Sequence, residues 1–177
     1  MVDDIVNVIR EITREADLRN SVNVIRNAFE TVAAEFKLTP ENCPTSPAFV
    51  TTEQLRALRD KGVKPFGLFH DDVQLGFVAV ERADGAVYYL EKLAVLPGYR
   101  HRGYGKKLIA FVCNYVKKNK CEKISLGMIN ESTILKDWYK KLGFQETGTK
   151  KFEHLPFTVC FMEKNLLPFG TTGVGAN

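Results

Sequence analysis

The sequence predicts an α/β (α+β) fold: a single domain built on one mixed central sheet of about seven strands, mostly antiparallel with one parallel pair, flanked by about four helices. Three observations carry this expectation. Leu18, Val22, Ile25, Phe29, Val32 and Phe36 recur at three- and four-residue steps, which is the apolar stripe of a long helix. Short apolar runs on either side of Asp71-Asp72 and Asp84-Gly85 read as strands joined by tight turns. Between Val87 and Ile129 a strand, a lysine-rich helix and a second strand follow one another, an order that makes the two strands parallel neighbours through a right-handed crossover.

The elements follow in order. Residues 5–13, rich in β-branched side chains, form a first strand, and Asp17 is the expected cap of the long helix. Residues 38–50, LTPENCPTSPAFV, hold three prolines among polar residues and are a loop, either a plain connector or a lid on a substrate. Thr51 and Gln54 make a capping box for a second helix that buries Leu55 and Leu58 and stops at Gly62. Residues 65–70 and 73–82 form an antiparallel hairpin, and 87–96 a fourth strand. Residues 106–120 place Leu108, Ile109, Phe111, Val112, Tyr115 and Val116 on one broad helix face. A fifth strand over 123–129, a short helix over 132–142 ended by Gly143, and strands over 144–151 and 157–163 complete the domain, 1–168. The tail, 169–177, is expected to be disordered.

A chain of 177 residues, 45% hydrophobic and 26% charged, has the balance of a soluble globular protein and excludes a disordered one. Its net charge of +4 gathers on the helix that carries Lys106, Lys107, Lys117, Lys118 and Lys120, a pattern expected of a solvated face, so no nucleic-acid partner is predicted. Cys43, Cys113, Cys121 and Cys160 show no C-x-x-C spacing, and His70, His101 and His154 are scattered, so neither a metal site nor a disulfide framework is expected. The first residues carry charges where a signal peptide needs an apolar core, and no apolar run approaches 18 residues, which predicts a cytoplasmic protein without a membrane partner.

The chemistry concentrates in residues 87–116. After the fourth strand, Arg100, His101 and Arg102 precede Gly103 and Gly105 where a helix begins, so positive charge and unshielded backbone N–H groups converge as in a phosphate site. Two nucleotide motifs do not fit. The dinucleotide fingerprint needs a small residue at Leu108, and the P-loop needs a glycine at Arg100.

Arg100-His101-Arg102-Gly103-Tyr104-Gly105 resembles the R/Q-x-x-G-x-G/A motif of the GCN5-related N-acetyltransferases (GNAT), and LAVLPGY before it resembles that family's fourth strand and its exit. Asn130 with Trp138-Tyr139-Lys140-Lys141-Leu142-Gly143-Phe144 is similar to the family's asparagine-then-Tyr-x-K-x-GF block. The resemblance implies a GNAT-like fold and acetyl-CoA (coenzyme A) as cofactor, with no metal. It further implies that backbone N–H groups from Arg100, His101, Arg102, Gly103, Tyr104, Gly105 and Lys106 hold the pyrophosphate. Leu93, Ala94 and Val95 would offer backbone groups to the pantetheine arm and the thioester carbonyl, where the fourth and fifth strands splay, often at a bulge. Asn130 belongs to the same implied cofactor set, and Lys136 either reaches the phosphates or is solvated. One departure stands out: Tyr139 follows Asn130 by nine positions, where the family's spacing is seven.

For general base, Glu91 interrupts an apolar strand and, by alternation, shares a face with Tyr89, Leu93 and Val95. Half-burial there would raise its pKa toward neutrality; the alternative is a strand-edge glutamate paired with a lysine, and some family members would place Tyr89 at the acidic position. Tyr139 matches the tyrosine that family members direct at the coenzyme sulfur as general acid, against a purely structural tyrosine. His154 is a loop histidine or an acceptor contact, and Cys160 a buried small residue. The expected activity is transfer of acetyl from acetyl-CoA to a primary amine of a small molecule by direct attack in a ternary complex. The alternatives are a protein amino group as acceptor, or a non-catalytic acyl-CoA sensor. The open edges of such a sheet also allow a homodimer.

Overall fold

The computed structural model describes residues 7–166, so the expected disorder of the tail and the first residues of the predicted first strand lie outside it. The chain forms β1 (Asn7–Glu11), α1 (Glu15–Phe36), α2 (Thr52–Asp60), β2 (Lys64–His70), β3 (Val73–Arg82), β4 (Val87–Val95), α3 (Tyr104–Lys118), β5 (Lys123–Ile129), α4 (Thr133–Lys141), β6 (Gln145–Lys151) and β7 (Thr158–Asn165). The strands make one sheet in the order β1-β2-β3-β4-β5-β7-β6, antiparallel throughout except for the β4/β5 pair. The predicted fold class and strand polarity are therefore present. No helix among the described residues is long and apolar enough to cross a membrane.

Each sheet face has its own core. On one, Leu68, Val80, Tyr88, Leu90 and Ile124 meet Leu108, Val112 and Val116 of α3 and Tyr139 of α4. On the other, Phe69, Phe77, Ala79 and Ala94 meet Leu18, Ile25 and Ala28 of α1 and Leu55 of α2. The stripe predicted for α1 is fully buried only in its first half, because Phe29, Val32 and Phe36 are half-buried. The loop 38–50 covers the second half instead: Leu38, Cys43 and Ala48 bury themselves against Ala33.

Local signals at the helix ends divide. The Thr51/Gln54 capping box forms as expected, Thr51 Oγ1 accepting from Gln54 N–H at 3.2 Å and Gln54 Oε1 from Thr51 N–H at 3.0 Å. Asp17 does not cap α1; the N-cap is Arg14, and Asp17 sits inside the first turn. There its buried carboxylate accepts from Arg10 at 2.7 Å and from Arg14 at 2.9 and 3.1 Å. Two guanidiniums outcompete the helix N–H groups for the same oxygens.

Candidate active site

The site begins at an irregularity in β4. Phe77 pairs with Ala94 but Ala79 pairs with Glu91, so β4 carries one residue more than β3 over this interval. Lys92 takes the extra step, at φ 51°. This is a β-bulge, which bends the strand that carries it. On its far side β4 pairs with β5 only at Val87, Tyr88 and Tyr89, and the two strands then part. From Leu90 to Val95 the β5-facing backbone of β4 has no strand partner, which is the splay the family resemblance implies.

The bulge also overturns one expectation from alternation. Leu90 faces the α3 core, whereas Ala94 faces the α1 core and Leu93 and Val95 pack on the α3 side. Glu91, opposite Ala79, lies on the α1 face and does not share a face with Leu93 and Val95. An extra residue switches every side chain beyond it to the other face.

At the open end of the splay lies the predicted anion turn. A 3-10 turn over Pro97–Tyr99 leads to Arg100 in extended conformation, His101 at φ 62°, and Gly103 at φ 82° as N-cap of α3. The first bond that closes the helix is Lys107 N–H to Gly103 carbonyl at 3.0 Å. The N–H groups of His101 through Lys106 therefore find no backbone carbonyl among the described residues. Six successive free donors at a helix start, with Arg102, Lys106 and Lys107 exposed around them, make a cradle whose charge and geometry suit an anion. No neighbouring atom lies within 4 Å of where a Cβ would stand on Gly103, so its glycine serves the left-handed backbone alone. Gly105 has a different reason: a Cβ would stand 3.2 Å from the indole of Trp138, so its absence lets α4 dock on α3.

Arg100 departs from the predicted cradle. Its N–H is bonded to Pro97 carbonyl at 3.3 Å. Its guanidinium turns to Val95 carbonyl, to Thr31 Oγ1 and to Ala28 carbonyl, at 3.3, 3.0 and 2.6 Å.

Glu91 is half-buried, and its carboxylate meets the ammonium of Lys92 at 2.9 Å, the lysine pairing that the sequence offers as the alternative to a base in apolar surroundings. Consecutive residues in a regular strand point to opposite faces, so this pair exists only because of the bulge. Lys92 was missed in the sequence, although two adjacent charges in an apolar strand are a signal for a bulge.

Tyr139 packs its ring on Trp138 and Phe144, centroids 5.0 and 5.3 Å away, and is buried. Its hydroxyl has no hydrogen-bond partner among the described residues. Burial pushes the phenol well above its ordinary pKa, which holds the proton on oxygen. Asn130 and Lys136 are brought together: the Lys136 ammonium donates to Asn130 Oδ1 and lies 3.5 Å from Glu146. Lys136 is thus engaged across the α4 side of the site and is not a solvated lysine. In the turn between Asn130 and α4, Glu131 accepts from Thr158 N–H at 3.1 Å. Cys160 has no exposure, and burial raises its thiol, so it offers no nucleophile to solvent.

The α1 face beyond Glu91 has visible walls. Ile129 at the end of β5 and Leu155 and Phe157 of the β6–β7 connection pack onto the cluster formed by the 38–50 loop. His154 is exposed and leans on Phe152. A cavity of about 410 Å³ opens at the start of β4, lined by Tyr89, Asp84, Ser125 and Glu163 among others, at the opposite end of the strand from the cradle.

A splayed parallel strand pair with a row of free N–H groups at its mouth, in one open mixed sheet, defines the class of this α+β domain. The sequence profile described as the Acetyltransferase (GNAT) family matches residues 28–144, and the chain belongs to that family. Two curated relatives, the aminoglycoside N(6')-acetyltransferases type 1 of Salmonella typhimurium (strain LT2) and Salmonella enteritidis, are each 38% identical over 61 residues. That stretch is 34% of this chain and 42% of each relative, so the match spans less than half the length of the curated relatives. Among solved structures, the PaiA N-acetyltransferase of Thermoplasma acidophilum in complex with coenzyme A superposes with a TM-score of 0.76 at 20% identity, over 91% of this chain and 99% of that one. An aminoglycoside 6'-N-acetyltransferase complexed with coenzyme A gives 0.68 at 16% identity, over 91% and 98%. At these identities the likeness is one of fold.

Proposed function

We propose that the protein transfers an acetyl group from acetyl-CoA to a primary amine of a small molecule, by direct attack in a ternary complex. The observation that carries this reading is the row of free N–H groups from His101 to Lys106, set where β4 and β5 have parted. Family membership and the names of the two curated relatives, both acetyltransferases of amino groups on small molecules, support it.

The residues fit the coenzyme. The cradle would hold its diphosphate, and the edge of β4 at Leu93, Ala94 and Val95, which has no strand partner on the β5 side, would line its pantetheine arm and face the thioester carbonyl. When bound, acetyl-CoA supplies the activated acyl group. Glu91, on the α1 face beside the bulge, accepts the proton that the attacking amine gives up, directly or through one water. Lys92 keeps that carboxylate oriented. As the C–N bond forms and the C–S bond breaks, the Tyr139 hydroxyl supplies a proton to the departing thiolate.

Release of free thiol from acetyl-CoA over a panel of aminoglycosides, polyamines and amino acids tests the reading. Glu91→Gln is expected to lower kcat/KM about 100-fold, the lower end for a lost general base. Tyr139→Phe should lower kcat about tenfold with coenzyme affinity retained. Coenzyme A binding without turnover on any amine would leave only a sensor, and unchanged kinetics in Glu91→Gln would remove it as the base.

A further inference from the structure

Arg100 spans the two halves of the site. Its backbone lies between the 3-10 turn and His101, so a ligand drawn to the cradle pulls on the peptide next to it. Its side chain leaves the cradle altogether and clasps the middle of α1. Nη2 donates to Ala28 carbonyl at 2.6 Å and Nη1 to Thr31 Oγ1 at 3.0 Å, while Thr31 Oγ1 itself lies 3.0 Å from Ala28 carbonyl. The third donor, Nε, returns to Val95 carbonyl at the end of β4. No carboxylate pairs with Arg100 among the described residues, so its charge is answered by these oxygens. Bonds from a guanidinium to partly buried acceptors are costly to break.

What α1 carries beyond Thr31 gives the clasp a consequence. Ala33, two residues on, is the foot of the cluster made with Leu38, Cys43 and Ala48, onto which Ile129, Leu155 and Phe157 pack. Arg100 is thus linked through little more than one turn of α1 to that cluster, on the same face of the sheet as Glu91. Helices pass on displacement because their interiors are close-packed.

We infer that Arg100 is a positioning residue that couples occupancy of the cradle to the order of α1 and the 38–50 loop, so that coenzyme binding firms the acceptor wall. This rests on the coenzyme reading above. Coupling of this kind needs a contiguous physical link whose state both sites bias, and Arg100 with Thr31 and Ala28 supplies one.

Amide hydrogen exchange of the full chain, with and without coenzyme A, tests it. In the wild type, coenzyme A should slow exchange over 101–106 and also over 24–36 and 38–50, the latter two by about five-fold, the low end for coupled sites. In Arg100→Gln the slowing over 101–106 should persist while that over 24–36 and 38–50 disappears. Arg100→Lys, which keeps the charge but not the fork, should behave like Arg100→Gln. Should Arg100→Gln fail to fold, Thr31→Val deletes one strand of the clasp and should reduce the α1 effect to about two-fold. Undiminished slowing over 24–36 in these variants overturns the inference, as does a wild type in which only 101–106 responds. Exchange unaffected everywhere would instead overturn the coenzyme reading itself.

Discussion

Replacing Gly103 separates two ways in which a glycine can matter. At φ 82°, ψ 0° the residue is left-handed, and no atom lies within 4 Å of where its Cβ would stand. A side chain there meets no neighbour, so the entire penalty is backbone strain, about 1–2 kcal/mol for an ordinary L residue. Asparagine tolerates this region and valine does not. Gly103→Val should therefore either strain α3 at its start or relax toward negative φ, which turns the N–H groups of Gly103 and Tyr104 away from their neighbours. With a tenfold change in affinity for each 1.4 kcal/mol, coenzyme A binding should weaken about five- to thirty-fold in Gly103→Val. Gly103→Asn should lose no more than about three-fold. Isothermal titration with coenzyme A, read beside Tm, distinguishes the cases. If valine and asparagine weaken binding equally, bulk at the cradle decides and backbone geometry does not.

Two further outcomes follow from contacts elsewhere. Asp17 is held near pKa 2 by its bonds to Arg10 and Arg14, against an ordinary 3.8. A carboxyl whose folded pKa is depressed stabilises the fold above its unfolded value and loses that contribution as pH falls through the folded one. Asp17→Asn should thus cost about 2 kcal/mol in urea unfolding at pH 7, with the gap to wild type closing between about pH 4 and pH 2; a gap constant down to pH 2 would contradict the ion-pair account. Gly105→Ala should gain none of the ~1 kcal/mol that alanine offers a helix, because its Cβ would stand 3.2 Å from Trp138. Trp138 is the only tryptophan, so a shifted emission maximum reports the displaced ring, and unchanged emission with raised Tm would refute the contact.

Most of the fold was legible because its signals are local and mutually consistent. The hairpin turns, the Thr51 capping box and the apolar faces of α1 and α3 each depend on residues a few positions apart, and each formed where periodicity put it. The cradle was legible for the same reason: Gly103 and the free N–H groups belong to one short segment. Side-chain destinations were not. Arg100 sits in a phosphate motif, yet its guanidinium bonds to residues 69 and 72 positions away, contacts with no sequence trace. Asp17 has the identity of a cap, but the helix begins two residues before it, and Arg10 and Arg14 claim its oxygens. Lys136 reads as a solvated lysine until α4 folds it against Asn130 and Glu146.

The misplacement of Glu91 is the most instructive of these, since one residue accounts for it and for the site as a whole. Alternation along β4 assumes a regular pleat, and Lys92 at φ 51° breaks it. The same break that turns Glu91 away from Leu93 and Val95 bends β4 off β5 after Tyr89, and so exposes the backbone from Leu90 to Val95. It also lets Glu91 and Lys92 meet at 2.9 Å, which no regular strand permits. A carboxylate on the α1 face and a free strand edge opening toward the cradle are thus two consequences of one inserted residue. The carboxylate and the free strand edge need not have been placed independently, since the one bulge positions both.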